Sequence, residues 1–385
     1  MAKDLYDKLC SSYEFMLGPL PWEDEFKIAL QEMVTSEDLE VFFRLPMVGA
    51  ISWSKLVKKA GMTEESLSAA LDRLSSQGML MVYTKDGQKK YERGNPVYMT
   101  EQQVRKKEDT PRRRFYARFF NAIITGELAI EAPNKTPYFR VLPQEATLKG
   151  KHTEGTGKRI PVNEDIPDPR AILPTDIVSE MVRRDARLIA VADCYCRLTK
   201  QIVGEGCDNP IETCLSFNEL AESLIAVGNA REISLEEALE IIRLSADHNL
   251  IHNVDNCAGE INCICNCCSC CCSSISTFQR GMKSGNAPSH YRVVYDQEKC
   301  DLCLACVEVC PTETRSFVDG RIVTDENLCL GCGLCVNNCP EGAIRMVQRE
   351  ERHELHATRD ELYAKIGKEA IVGLAKQKVV GLFKH

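Results

Sequence analysis

Apolar residues recur at helical spacing through the first quarter of the chain. One helix is predicted over residues 23–46, where the pattern continues until a proline. Two shorter helices are expected over 51–62 and 63–78, with a glycine ending the first and a threonine capping the second. Alternating residues on either side of Asp86 and Gly87 predict two strands joined by a tight turn. This part of the chain is therefore expected to be a small helical domain that ends in a hairpin.

The segment after this hairpin is basic and then rich in proline and glycine. Residues 101–120 hold seven Lys or Arg against three Asp or Glu, and they are interpreted as a solvated linker helix. Residues 131–175 are predicted to be a loop-rich connector. A compact α/β pattern follows, in which one buried strand runs directly into Cys194. The last segment, about 354–385, is predicted to be an amphipathic helix whose polar side carries Lys365, Lys368, Lys376 and Lys378.

Cysteine is the unusual feature of the composition. The chain has 385 residues, of which 21 are cysteine, and only Cys10 precedes position 194. A secreted disulfide-stabilised protein is short and cysteine-rich throughout, and the first residues here lack the apolar core of a signal peptide. No run of about 18 apolar residues predicts a transmembrane helix. The pattern predicts metal ligation in a reducing cytoplasm, and the formal net charge of −8 argues against nucleic-acid binding.

Residues 293–348 contain a tandem repeat with an offset of 29 residues. Each copy has the spacing C-x2-C-x2-C-x3-C followed by proline. The cysteines of the two runs are Cys300, Cys303, Cys306 and Cys310, then Cys329, Cys332, Cys335 and Cys339. This pattern resembles the bacterial-type ferredoxin domain with two [4Fe–4S] clusters. Zinc is the alternative, but zinc sites favour two separated cysteine pairs.

The resemblance implies which cysteines hold which cluster. In such domains the fourth cysteine of each run serves the other cluster. Cluster one is therefore expected to be held by Cys300, Cys303, Cys306 and Cys339, and cluster two by Cys329, Cys332, Cys335 and Cys310. Ala305, Gly331 and Gly333 are small enough for backbone N–H groups to approach the sulfurs, which tunes the reduction potential. Nine acidic residues against four basic ones in 293–348 predict docking on a basic partner.

A second group of cysteines begins at the end of the predicted buried strand. Its members are Cys194, Cys196, Cys207 and Cys214. Four thiolates within 21 residues match the ligand number of one [4Fe–4S] cluster, if the chain turns after Cys194. Arg197 is expected to offset the negative charge of that cluster or to donate to its sulfurs. Zinc is the main alternative at this site.

Residues 257–272 are predicted to form a loop dense in cysteine. Its eight thiols are Cys257, Cys263, Cys265, Cys267, Cys268, Cys270, Cys271 and Cys272. At least one further [4Fe–4S] cluster is predicted here, with Cys265, Cys267, Cys268 and Cys271 as its ligands. Three alternatives stay open: some of these thiols ligate the 194–214 site, a non-cubane cluster spans both groups, or the segment stores metal as metallothioneins do.

The predicted fold class is α+β, and the order of segments resembles multi-domain ferredoxin proteins of anaerobic bacteria and archaea. Within it, the helices and hairpin of the first part resemble a winged-helix domain. The expected segments are a winged-helix-like domain at 1–120, a loop-rich linker at 121–173, an α/β cysteine-rich iron–sulfur domain at 174–290, a two-cluster ferredoxin domain at 291–350 and a C-terminal helix at 351–385. The resemblance implies cytoplasmic redox metabolism without oxygen, beside a larger oxidoreductase.

Three functions are compatible with these features. The first is an electron-transfer protein that relays electrons through several clusters to or from a partner oxidoreductase. No glycine-rich nucleotide-binding motif occurs, which favours another protein as the electron source. The second is an oxidoreductase subunit with its own substrate-binding cluster in 257–272. The third is a redox-sensing DNA-binding regulator, which the three acidic residues against one basic residue in 63–78 disfavour and the basic run 105–118 keeps open.

Overall fold

The computed structural model describes residues 4–47, 49–128, 134–148, 174–282, 284–353 and 355–382, and it mixes helices and sheets, as the predicted α+β class requires. The α-helices are α1 (Leu5–Leu17), α2 (Glu23–Met33), α3 (Ser36–Arg44), α4 (Trp53–Ala60), α5 (Glu64–Ser76), α6 (Pro96–Val104), α7 (Pro111–Thr125), α8 (Glu145–Leu148), α9 (Val178–Asp185), α10 (Tyr195–Ile202), α11 (Asn218–Ala226), α12 (Leu235–Asp247), α13 (Ser273–Gln279), α14 (Ala305–Glu308), α15 (Leu334–Asn337) and α16 (Arg359–Leu382). The strands are β1 (Ile51–Ser52), β2 (Leu80–Lys85), β3 (Gln88–Arg93), β4 (Phe139–Leu142), β5 (Ile189–Asp193), β6 (Glu212–Phe217), β7 (Arg231–Glu232), β8 (Ile251–Asp255), β9 (Cys263–Cys267), β10 (Asn286–Ala287), β11 (Tyr291–Tyr295), β12 (Arg315–Val318), β13 (Arg321–Thr324) and β14 (Ile344–Gln348).

The chain forms two compact units, each built from two separate stretches of sequence. The first unit is Met1–Ala132 with Arg187–Ser234, and the second is Pro133–Ala186 with Leu235–His385. The segment 174–290, predicted as one domain, is thus divided between the units. Among the residues that the structure describes, no helix is both long and apolar enough to cross a membrane.

The single helix predicted over 23–46 is interrupted at Thr35, so that α2 and α3 are separate helices. Thr35 and Asp38 form a reciprocal capping box: the Thr35 hydroxyl accepts from the Asp38 N–H at 3.2 Å, and the Asp38 carboxylate accepts from the Thr35 N–H at 2.9 Å. The carboxylate also accepts from the Arg73 guanidinium at 2.7 Å. These hydrogen bonds satisfy the first N–H groups of a new helix, which allows the chain to change direction there.

The predicted pair of helices and the hairpin are confirmed in the first unit. Gly61 ends α4 in a left-handed conformation with φ 61°, and the Thr63 side chain caps α5. Asp86 and Gly87 join β2 to β3 with φ of 53° and 67°, the positive angles that a tight two-residue turn requires. β1 completes a three-stranded sheet in the order β1-β3-β2.

The interpretation of residues 101–120 as a solvated linker is wrong. The chain ends α6 at Val104 and starts α7 at Pro111, and α7 buries Phe115, Tyr116 and Phe120 in the core of the first unit. The charged residues of the run mask this apolar face, because arginines alternate with aromatics at helical spacing.

Three strands complete the first unit in the order β7-β5-β6, with Ala192 opposite Cys214.

The second unit contains two further departures from the predicted loops. Four strands lie in the order β10-β4-β8-β9; β4 comes from the predicted connector 131–175, whose residues 149–173 lie outside the described part. β9 lies within the predicted loop 257–272 and pairs antiparallel with β8.

The last helix, α16, buries Leu362 and Ile366. Lys365 and Lys368 on it are exposed, as predicted, whereas the side chains of Lys376 and Lys378 lie outside the described part.

Candidate iron–sulfur site

The two cysteine runs of residues 293–348 form loops with the same backbone shape. The chain is left-handed at Leu302 and Leu304 in the first run, with φ of 60° and 65°, and at Gly331 and Gly333 in the second, with φ of 63° and 80°. These positions correspond through the 29-residue offset. Left-handed residues that alternate with right-handed ones turn successive N–H groups inward and create a concave site for anionic ligands. Each loop then enters a single helical turn, α14 or α15.

The cysteines predicted for cluster one surround a common space. Cys300, Cys303 and Cys306 line it together with Cys339 from the other run. The space opens to solvent. The N–H of Leu302 donates to Cys300 Sγ at 3.4 Å, and the N–H of Ala343 donates to Cys339 Sγ at 3.3 Å. Four thiols around one space, with N–H groups directed at the sulfurs, fit the donor set of a [4Fe–4S] cluster.

The cysteines predicted for cluster two also interact across the runs. Burial raises the pKa of the Cys335 thiol to about 12; the Arg315 charge lowers it, and the charges of Cys329 and Cys310 raise it. Cys310, from the first run, is thus close enough to act electrostatically on Cys335 and also on Cys332 of the second. Burial also raises the pKa of Cys310, but a hydrogen bond with the Thr314 hydroxyl at 3.3 Å and backbone N–H groups outweigh it and leave the pKa lowered. A stabilised thiolate is the form that binds iron.

The two cluster sites differ in exposure. Cys303, in the first site, is exposed, and Leu302 and Leu304 beside it are 40% and 36% exposed. Cys332 and Cys335, in the second site, are buried, and Cys332 packs in a core with Leu330 and Leu334. The first site is therefore the more accessible of the two from the protein surface.

The structure brings three of the four cysteines predicted at 194–214 into one region. Cys194 directly follows β5 at the N-cap position of α10, Cys196 lies in the first turn of that helix, and Cys214 is on the neighbouring strand β6. The expected turn after Cys194 is thus a helix start. The pKa of the Cys194 thiol is raised well above its usual value by its hydrogen bond with Cys196 and by burial, while the Arg197 charge lowers it. The fourth cysteine, Cys207, accepts from Asn209 Nδ2 at 3.5 Å. The Sγ atoms of the four predicted cysteines do not all lie within 4.8 Å of one another.

Two buried arginines lie beside these thiols. Arg197 is fully buried and donates to the Thr213 hydroxyl. Arg105 donates from Nη2 to Cys214 Sγ at 3.4 Å and from Nε to the Asp193 carbonyl at 3.0 Å. The sequence analysis missed Arg105, because it is part of the basic run interpreted as a solvated linker. Two buried guanidinium groups favour anionic thiolates at this site.

In the segment 257–272 the structure groups three thiols closely. The Sγ atoms of Cys268, Cys270 and Cys271 all lie within 4.8 Å of one another, and those of Cys270 and Cys271 are 3.6 Å apart. Cys270 was not among the predicted ligands. The other two predicted ligands, Cys265 and Cys267, are both on β9. Cys267 Sγ accepts from Asn253 Nδ2 at 3.5 Å. Cys270 is one of eight cysteines in this segment, and nothing in their sequence spacing distinguishes it from the other seven.

Comparison with known proteins gives one match. No curated protein and no solved structure matches this chain. The matched family is the 4Fe-4S binding domain, whose model fits residues 293–316 and again residues 322–345. These are the two stretches that carry the cysteine runs and the cross-repeat cluster site described above. The C-terminal part of the chain at 293–345 is therefore a 4Fe–4S binding domain.

Proposed function

We propose that this chain is an iron–sulfur electron-transfer protein that relays electrons through several [4Fe–4S] clusters to or from a partner oxidoreductase. The observation that carries the proposal is the position of Cys339, which lines one space with Cys300, Cys303 and Cys306 of the other repeat. A zinc ribbon or a disulfide framework has no reason to exchange its fourth cysteine between repeats. A [4Fe–4S] cluster supplies reversible one-electron chemistry.

The ligands proposed for the two C-terminal clusters are the crossed sets. Cluster one is assigned to Cys300, Cys303, Cys306 and Cys339, and cluster two to Cys329, Cys332, Cys335 and Cys310. In this assignment, these residues would hold the clusters, and the backbone N–H groups around them would offset the negative charge of the thiolates. The runs also hold the clusters near each other, since the two runs exchange ligands.

The partner is proposed to be a basic redox protein that docks near cluster one. Nine acidic residues against four basic ones in 293–348 provide the complementary charge. The exposed side chains of Leu302, Leu304 and Phe317 add apolar area on the same domain. An apolar contact with an acidic rim suits a transient complex in which association is fast and release is not limiting.

Two further metal sites are proposed in the cysteine-rich middle of the chain. Cys194, Cys196, Cys207 and Cys214 are assigned to one cluster, supported by the buried charges of Arg105 and Arg197. Cys265, Cys267, Cys268 and Cys271 are assigned to another, with Cys270 as an added candidate ligand. The first hundred residues are proposed to be a winged-helix-like module that contacts protein, and the setting is proposed to be cytoplasmic and anaerobic.

A single-ion site is the competing proposal for the close trio of thiols. In a tetrahedral zinc site with Zn–S bonds of about 2.3 Å, neighbouring sulfurs are about 3.8 Å apart. The 3.6 Å separation of Cys270 and Cys271 Sγ is close to that value. A cubane needs its thiolates on separate irons, so its sulfurs lie farther apart. The spacing of the trio therefore favours one metal ion at this place.

Metal analysis of protein purified without air tests these proposals. We expect about 16 irons per chain with equal sulfide if four cubes are present, and about 12 irons with one zinc if the trio holds a single ion. Reduction with dithionite should bleach the broad absorption of the clusters and produce an electron paramagnetic resonance signal. A protein with fewer than about eight irons per chain after anaerobic reconstitution contradicts the two-cluster assignment.

A further inference from the structure

Arg315 is a buried charge in a position where the repeat has an apolar residue. It is 3% exposed, and both terminal guanidinium nitrogens, Nη1 and Nη2, lack a hydrogen-bond partner among the described residues. Through the 29-residue offset it corresponds to Ile344, which is 1% exposed. An unpaired guanidinium in a protein interior is costly unless a negative group compensates it. Its surroundings should therefore contain an anionic partner other than a carboxylate.

The repeat indicates where that partner lies. Ile344 lines the space of cluster one, so the corresponding Arg315 is expected at cluster two. The backbone N–H of Arg315 donates to Cys310, the first-run ligand of cluster two. Burial disfavours the charged Arg315 guanidinium, while the charges of Cys335, Cys306 and Cys329 and a hydrogen bond with Cys306 favour it. Two of these three cysteines belong to cluster two and one to cluster one.

The chemistry of the cluster makes it a suitable partner. Four thiolates around an oxidised [4Fe–4S] core give about two negative charges, and reduction adds a third. A buried positive charge close to the sulfurs stabilises the reduced form more than the oxidised form, because the attraction grows with the charge. Burial works in the opposite direction, since apolar surroundings penalise the added negative charge. Cys332 and Cys335 are both buried, so without a cation cluster two would be the harder one to reduce.

We propose that the Arg315 guanidinium donates to the sulfurs of cluster two and raises its reduction potential, so that an electron entering at the exposed cluster one comes to rest on cluster two. The proposal rests on the proposed electron-transfer function. In the step, cluster one loses one electron and cluster two gains it, with no bond made or broken; a low-potential partner protein supplies the electron. The arginine thereby makes electron transfer between the two otherwise similar halves of the domain directional.

The test compares Arg315→Met, Arg315→Lys and the control Ile344→Met in the full-length protein, purified without air. The measurement is a redox titration followed by electron paramagnetic resonance. Arg315→Met should reduce the equilibrium constant for one-electron reduction of one cluster at least tenfold, which is about 59 mV. Arg315→Lys keeps the charge and should keep most of the potential, and Ile344→Met should change neither cluster. Unchanged midpoint potentials in an iron-loaded Arg315→Met protein overturn the proposal.

A measurement on the unaltered protein decides the question if Arg315→Met fails to load iron. Protein labelled with 15N only in the arginine guanidinium is reduced, and the hyperfine coupling of 15N to the reduced cluster is recorded by pulsed resonance, with Arg315→Lys as the reference. A coupling that disappears in Arg315→Lys supports the inference, and an identical spectrum in both proteins overturns it. Failure of the proposed function looks different: in that case the unaltered protein holds no iron in this domain.

Discussion

The crossed ligation proposed for the C-terminal domain predicts which pairs of cysteine substitutions act on the same cluster. Because Cys339 lines one space with Cys303, Cys339→Ser should disable cluster one and remove about four irons per chain. Adding Cys303→Ser should cost no further iron, since both residues serve that cluster. Combining Cys339→Ser with Cys335→Ser should instead remove about eight irons, because one cysteine is lost from each cluster.

If each run held its own cluster, the two double variants would exchange their behaviour. Cys339→Ser with Cys335→Ser would then lose about four irons, and Cys339→Ser with Cys303→Ser about eight. The assay is iron and sulfide analysis of anaerobically purified protein, with circular dichroism to confirm that each variant is folded. Differences from the parent protein remove the contribution of metal bound elsewhere in the chain. The exchanged pattern refutes the proposed ligand assignment.

Three further predictions concern other parts of the fold. Gly331→Ala should impair loading of cluster two, because an added Cβ would lie 2.0 Å from a backbone carbonyl oxygen. The control Gly320→Ala has a similar positive φ but open space around the added Cβ. It should reduce the free energy of unfolding, measured by chemical denaturation, by only about 1–2 kcal/mol. Arg105→Met should lower the metal content by one site, because its guanidinium lies 3.4 Å from a cysteine sulfur, while Lys107→Met in the same basic run should not. Asp38→Asn should reduce the free energy of unfolding by about 2 kcal/mol at pH 7; burial raises the pKa of Asp38, but its hydrogen bonds leave the pKa lowered, so this difference should shrink as the pH falls below about 4.

Local sequence signals predicted the parts of the fold that local chemistry determines. The helices on either side of Gly61 and the turn at Asp86 and Gly87 follow from capping and from positive φ, and both are visible in a few residues. The break at Thr35 was equally local: Thr35 and Asp38 have the spacing of a capping box. It was missed because the apolar spacing continues through it. α7 was wrongly predicted to be solvated, because its arginines made the run basic although its aromatic residues form a buried face.

The cluster sites were predictable to different degrees for a physical reason. A short loop with cysteines at every third residue can surround one corner of a cluster by itself, so the C-terminal runs specify their sites locally. The thiols at 194–214 come from a strand end, a helix start and a second strand, and their meeting depends on the register of β5 and β6. In 257–272, Cys265 and Cys267 lie on the strand β9, and the close trio lies in the segment that follows the strand. No spacing rule contains that information.

The differences between the two repeats concentrate at the positions that surround the clusters. The second repeat has Gly331 and Gly333 where the first has exposed leucines, at similar left-handed φ. For leucine this conformation costs about 1–2 kcal/mol per residue, which stability alone would not favour. The first repeat likewise has Arg315 where the second has Ile344. Exposed leucines in a strained conformation at one site and a buried charge at the other each reduce stability. Both fit the proposed function, in which one cluster meets the partner and the other retains the electron.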